Sequence, residues 1–146
     1  MLGFLRRLWS RPPDRDAGAR GERLAADWLR RERQFAIVVR NWRNPRDRRD
    51  EIDLVGRDGD TLVFVEVKTR TAGALVPGYH AVDERKKRVL RRAAEAYLAR
   101  LPVKPRTFRL DVVEVTLPAD AESGAAAQPQ ILHFENVPLF AKHFRP

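Results

Sequence analysis

Cysteine is absent from the 146-residue chain, which excludes a disulfide scaffold, a thiol nucleophile and a cysteine-ligated zinc or iron–sulfur site. Histidine is nearly absent: His80, His133 and His143 are scattered, which argues against a histidine-rich metal centre. Any metal is therefore expected to be a hard cation held by carboxylates. Long apolar runs are missing too. The strongest, Ala36–Val39 with Phe35 before it and Leu62–Val65, are five and four residues long, against the ~20 needed to span a bilayer. Met1 to Pro13 mixes Phe4, Leu5, Leu8 and Trp9 with Arg6, Arg7 and Arg11, but it has neither the continuous apolar core nor the cleavage site of a signal peptide. These absences predict a cytoplasmic protein with no membrane partner. They also predict a flexible basic leader over residues 1–15 and a single domain over residues 16–146.

Positive charge is abundant. The chain has 29 Lys and Arg against 20 Asp and Glu, a net charge of +9, which points to a polyanionic partner such as nucleic acid, set against a generically basic protein. The charge is uneven: residues 1–50 hold 14 Arg against 7 acids. Arg40, Arg43, Arg46, Arg48 and Arg49 lie in this segment, and guanidinium groups suit bidentate phosphate contacts. Trp42, in the same cluster, is placed either to stack on a base or to cap a core from a strand end.

Periodicity orders the elements. After Pro12-Pro13, the stripe Gly21, Leu24, Ala25, Trp28 and Leu29 predicts a helix from about Asp16 to Arg33. Phe35–Trp42 reads as a strand, followed by an Asn44-Pro45 break. Glu51–Val55 and Thr61–Lys68 read as two further strands, joined around Asp58-Gly59. A loop over Thr71–Tyr79 precedes a helix that begins near Val82 and ends at Pro102. Phe108–Val115 and Gln130–Val137 are predicted strands, with a polar loop between Pro118 and Pro129. No internal repeat is present. The expected fold is α/β, an αβββαβ core plus a C-terminal strand, with helices packed on a mixed sheet and a strand–helix–strand crossover between parallel strands.

In Leu62–Lys68 the two-residue period puts Glu66 and Lys68 on one face and Val63, Val65 and Val67 on the other. A turn centred on Asp58-Gly59 is expected to set Asp53 opposite Phe64 and Glu51 opposite Glu66. Asp53 and Glu66 would then be diagonal neighbours, ~7 to 8 Å apart. Two converging carboxylates repel unless a cation sits between them, and Mg²⁺ or Mn²⁺ suits such oxygen ligands. Such an ion with a nearby lysine fits phosphodiester hydrolysis; a plain edge strand with surface ion pairs is the bland alternative. Glu22, in register with Ala25 and Leu29, either turns toward the sheet as a third carboxylate or serves the helix dipole. Gly21 in the same stripe predicts a close approach of helix and sheet. Lys86 sits within the apolar face of the second helix, so it either snorkels or points at an anionic site.

Taken together, Gly21-Glu22-x-x-Ala25, Arg40-Asn41-Trp42-Arg43, Glu51-Ile52-Asp53-Leu54-Val55, Val63-Phe64-Val65-Glu66-Val67-Lys68-Thr69-Arg70, Lys86, Tyr97-Leu98 and Leu110-Asp111-Val112-Val113 resemble the bacterial YraN, or UPF0102, family. The likeness covers about Gly18 to Val115, with a weaker echo at His133–Asn136. That family is similar to PD-(D/E)XK nucleases and archaeal Holliday junction resolvases. The resemblance implies a restriction-endonuclease-like fold and magnesium- or manganese-dependent cleavage of DNA in bacterial DNA processing or recombination. It implies catalytic roles for Glu22, Asp53, Glu66 and Lys68, with Lys86 added from its position, and metal ligation by Asp53, Glu66 and Glu22. The nucleic acid contacts expected are Arg40, Arg43, Arg46, Arg48, Arg49 and Arg70. Asp50 departs from the family, where Gly commonly precedes Glu-Ile-Asp, and it sets an extra acid beside Asp53.

DNA, branched or single-stranded among its forms, is the expected partner, and a homodimer suits an enzyme that cuts junctions. The alternative class is a non-catalytic nucleic-acid-binding or adaptor protein that keeps the fold. An RNA-binding ribosome-associated factor rests on charge alone.

Overall fold

The computed structural model describes residues 15–73, 82–119, 128–140, 142 and 144–146. Residues 1–14 of the expected leader, His80, His143 and most of the two long loops lie outside them. The elements are α1 (Arg15–Glu32), β1 (Ala36–Arg43), β2 (Glu51–Asp58), β3 (Thr61–Thr71), α2 (Glu84–Arg100), β4 (Thr107–Leu117) and β5 (Gln130–Val137). This is the αβββαβ order with a fifth strand, a mixed α/β arrangement consistent with a restriction-endonuclease-like fold. Asp83 caps α2, its carboxylate accepting from the backbone N–H of Lys86 at 2.8 Å, so the helix starts two residues later than Val82 suggests.

The sheet order is β1-β2-β3-β4-β5. β3 and β4 run parallel over eleven residue pairs, from Thr61↔Thr107 to Thr71↔Leu117, as α2 between them requires. β3 is the central strand, covered on both faces, which is why Leu62–Val65 is an unbroken apolar run rather than an alternation. Ala25, Ala26 and Leu29 of α1 pack on Val63, Val65, Val113 and Val115. On the opposite face Leu90, Ala94, Tyr97 and Leu98 of α2 pack on Ile52, Phe64, Leu110 and Val112. Trp42 belongs to this second core and meets Tyr97 edge to face at 5.3 Å.

One expectation is corrected. Asp58 pairs with Thr61, Val55 with Phe64 and Leu54 with Val65, so Asp53 is not opposite Phe64. Gly59, at φ 57°, is the first residue of a Gly59-Asp60 turn, and the register moves by two residues. The count then carries Asp53 opposite Glu66.

The Asp111 and His133–Asn136 segments meet at an irregularity in the β4–β5 pairing. The carboxylate of Asp111, fully buried, accepts from Arg109 Nε at 2.8 Å and from the backbone N–H of Asn136 at 2.9 Å, and His133 Nε2 lies 2.8 Å from it. Burial alone would raise its pKa; His133, Arg109 and Asn136 together outweigh that and hold it below the ordinary Asp value. This network stitches the sheet edge at a bulge, away from the cleft described next.

Candidate functional site

β2 and β3 part company after Leu54↔Val65, while β2 stays paired with β1 as far as Glu51↔Arg43. At this fork the Asp53 side chain takes over from the ladder: its Oδ2 accepts the backbone N–H of Val67 at 2.8 Å. On β1 the strand kinks at Asn41, φ 50°, a conformation that Asn tolerates better than most residues. The fork opens a cleft of about 370 Å³ that groups from both faces of the sheet reach. Its lining includes Glu22 from α1, Glu51 and Asp53 from β2, Glu66 and Arg70 from β3, and Lys86 from α2.

Glu66 is the pivot. It is 2% exposed. Its Oε1 lies 3.2 Å from Lys68 Nζ and 3.3 Å from Lys86 Nζ. Its Oε2 is buried with no hydrogen-bond partner among the described residues, an arrangement whose desolvation is uncompensated within them. Burial, and next the charge of Glu66, push Asp53 up to about 8, against the opposing effects of the Val67 N–H and Lys86. For Lys86, burial favours the neutral amine, but Glu66 and Asp53 outweigh it and raise its pKa. Lys86 is therefore an ion-paired member of the cleft and not a packing lysine. Glu22 is raised by burial and by Glu51 and Glu66, and its hydrogen bond with the Asn41 side chain opposes this.

The close approach expected at Gly21 is present. A Cβ there would fall 1.8 Å from Thr69 Oγ1, so only glycine lets α1 bring Glu22 to the end of β3. Among the described residues no three Asp, Glu or His side chains gather tightly enough to hold a metal ion by themselves. Asp53 and Glu66 stand together at the fork, and Glu22 lines the same cleft beside Asn41. Two carboxylates are nonetheless the usual protein share of a Mg²⁺ shell, which keeps waters and takes substrate phosphate oxygens. With the unpartnered Glu66 Oε2 and the raised Asp53, the donor set fits such an ion.

The arginines divide. Arg40 and Arg43 extend from β1 toward Asp27 (3.8 Å) and Glu51 (2.8 Å). Arg46, Arg48 and Arg49 lie exposed on the β1–β2 loop, with Arg49 paired to Asp47 at 2.8 Å. Arg70 is nearly buried, held by Glu114 at 3.4 Å. Two residues of the site escape sequence reasoning. Glu51 lines the cleft beside the expected acids, and Asn41 stands beside Glu22; an Asn flanked by Arg40 and Trp42 in a strand was the available sign. Asp50 turns out of the cleft, buried against Arg92 of α2 at 2.8 Å, so the extra acid does not crowd Asp53. No helix among the described residues is long and apolar enough to cross a membrane.

A family profile described as "Uncharacterised protein family UPF0102" matches residues 21–115. That span takes in Glu22, Asp53, Glu66, Lys68 and Lys86. A UPF0102 protein of Beutenbergia cavernae is 49% identical over 98 residues, 67% of this chain and 80% of the relative. One from Geobacter metallireducens is 40% identical over 123 residues, covering 84% and 92%. Another, from Geobacter sulfurreducens, is 46% identical over 121 residues, covering 82% and 85%. With the charged residues of its cleft lying inside the matched segment, the chain belongs to the UPF0102 family.

Proposed function

We propose that the protein is a Mg²⁺- or Mn²⁺-dependent endonuclease acting on DNA phosphodiester bonds. The observation that carries this reading is the buried Glu66, one oxygen unpartnered among the described residues and the other between two lysines, beside a carboxyl of Asp53 that prefers its proton. A structural ion pair would satisfy both oxygens; this one leaves a place for a hard cation. When bound, the ion supplies charge neutralisation at the phosphate and a water of lowered pKa.

The chain's own groups supply the rest. Asp53 and Glu66 would hold the ion. Lys68 and Lys86, both directed at Glu66 Oε1, bring positive charge to the phosphate and set the orientation of the attacking water. Arg70, fixed by Glu114 at the cleft wall, contacts a non-bridging oxygen. Glu22 would act on the water shell from its place beside Asn41 without entering the ligand pair.

The test is incubation of purified protein with labelled linear, flapped and four-way DNA in Mg²⁺, Mn²⁺ or chelator. Cleavage that requires the metal and disappears in Asp53→Asn supports the reading; cleavage that persists in that variant sinks it. One observation favours the non-catalytic DNA-binding alternative: two ammonium groups already neutralise Glu66. Metal-independent binding without cleavage would be its signature. Cutting both strands of a junction calls for two clefts, so light scattering with and without four-way DNA reads the homodimer.

A further inference from the structure

We infer that the solvent face of α2, clasped to the β1–β2 loop through Asp50, is a second contact surface for a nucleic acid backbone, extending the path of the strand beyond the cleft. The inference rests on the proposed action on DNA. It adds a surface that the basic N-terminal third of the sequence does not contain.

Arg85, Arg88 and Arg92 recur at i, i+3 and i+7 of α2, so they form one stripe. All three are exposed, on the side away from Leu90, Ala94 and Tyr97. Over ~10 Å of helix rise, the stripe matches about three axial steps of one DNA strand. The outward side of any amphipathic helix is polar, but two features separate this one from a solvated face. Residues 85 to 88 are all cationic at the end of the helix whose dipole disfavours cations. Lys86 is accounted for by Glu66 and Lys87 by Glu84 at 3.6 Å, but Arg85 and Arg88 form no ion pair with any described residue.

The second feature is the clasp. Arg92 donates from Nη2 to Asp50 Oδ1 at 2.8 Å and from Nε to Oδ2 at 3.3 Å. Asp50 is buried, while Arg92 stays 55% exposed. The backbone of Asp50 in turn bonds Asp47 and Asn44. The loop carrying Arg46, Arg48 and Arg49 is thereby tied to the helix. The resulting face starts one residue from Lys86 in the cleft wall.

The test uses anisotropy of labelled duplex DNA in chelator, titrated with salt. Arg85→Gln/Arg88→Gln is expected to lower the slope of log affinity against log salt by about 1.8, at ~0.9 per lost phosphate contact, and to weaken binding on the order of ten-fold. Arg100→Gln/Arg106→Gln removes the same charge from exposed positions at the far end of α2 and in the loop after it, and should leave the slope unchanged. Equal effects from the two pairs would reduce the finding to net charge and overturn the inference. Asp50→Ala makes the chain more positive, yet it is expected to weaken binding by loosening the loop; tighter binding would overturn the clasp. Should the Ala variant melt below the assay temperature, Asp50→Asn gives the same comparison. Binding with this pattern but no metal-dependent cleavage would count against the nuclease reading alone. A wild-type chain that binds no DNA would sink both.

Discussion

Lys86 Nζ lies 3.3 Å from Glu66 Oε1, joining the start of α2 to the central strand through a charge pair in which the Glu66 side chain is buried and the Lys86 side chain 28% exposed. Lys86→Met removes one of two cations from Glu66. A metal-free stability loss of about 1–2 kcal/mol is expected, less than for a fully buried pair because water screens Lys86. Single-turnover cleavage at saturating DNA should fall with it. A raised melting temperature with unchanged cleavage would remove Lys86 from the site.

Asp53→Asn and Glu66→Gln should each lower metal-dependent cleavage on the order of 10³-fold while leaving DNA affinity in chelator equal or higher, since Glu66→Gln removes a negative charge and Asp53→Asn replaces a carboxyl already inclined to hold its proton. Wild-type rates in both variants would assign any activity elsewhere or to a contaminant.

Stability should depend on pH with opposite signs from two aspartates. Asp53, raised to about 8, binds its proton more tightly folded than unfolded, so its contribution is full below pH ~4 and is lost as pH rises toward 8. Asp111, held low because His133, Arg109 and Asn136 together outweigh burial, contributes above its unfolded pKa and loses this as the pH falls below ~4. Thermal melts in chelator from acid to pH ~8 should show Asp53→Asn flattening the alkaline decline only. An unchanged decline in that variant would mean that the Asp53 carboxyl is not the group titrating.

Gly21→Ala should destabilise the fold by about 1–3 kcal/mol through overpacking against Thr69, partly offset by the ~1 kcal/mol helix preference of Ala. Thr69→Ala in the same chain should recover part of the loss. Additive losses in the double variant would show that the helix and strand do not meet there as described.

Much of this architecture is legible in the sequence, because the two-residue period of Leu62–Lys68 and the stripe of α1 each admit one placement against a core. Glu66 and Lys68 on one face follow from that, as does the close approach at Gly21. The β2–β3 register does not. Asp58-Gly59 announces a hairpin, but Gly59 opens the turn instead of closing it, and a two-residue shift leaves the alternation intact. Asn41 is hidden for a related reason: a left-handed residue inside a strand has no periodic signature. The Asp50–Arg92 pair spans 42 residues, and nothing local in either segment marks the other as its partner.

The fork at Asp53 also constrains how such a site can be given up. The Val67 N–H depends on a side chain at position 53 for its acceptor, so an aliphatic residue there would orphan a backbone donor as well as remove the acid. An amide keeps an acceptor oxygen and removes only the acid. Under the proposed nuclease reading, the acid is therefore lost most easily through Asn, and an Asn at position 53 of an otherwise intact sheet would mark a cleft that keeps its fork without its acid.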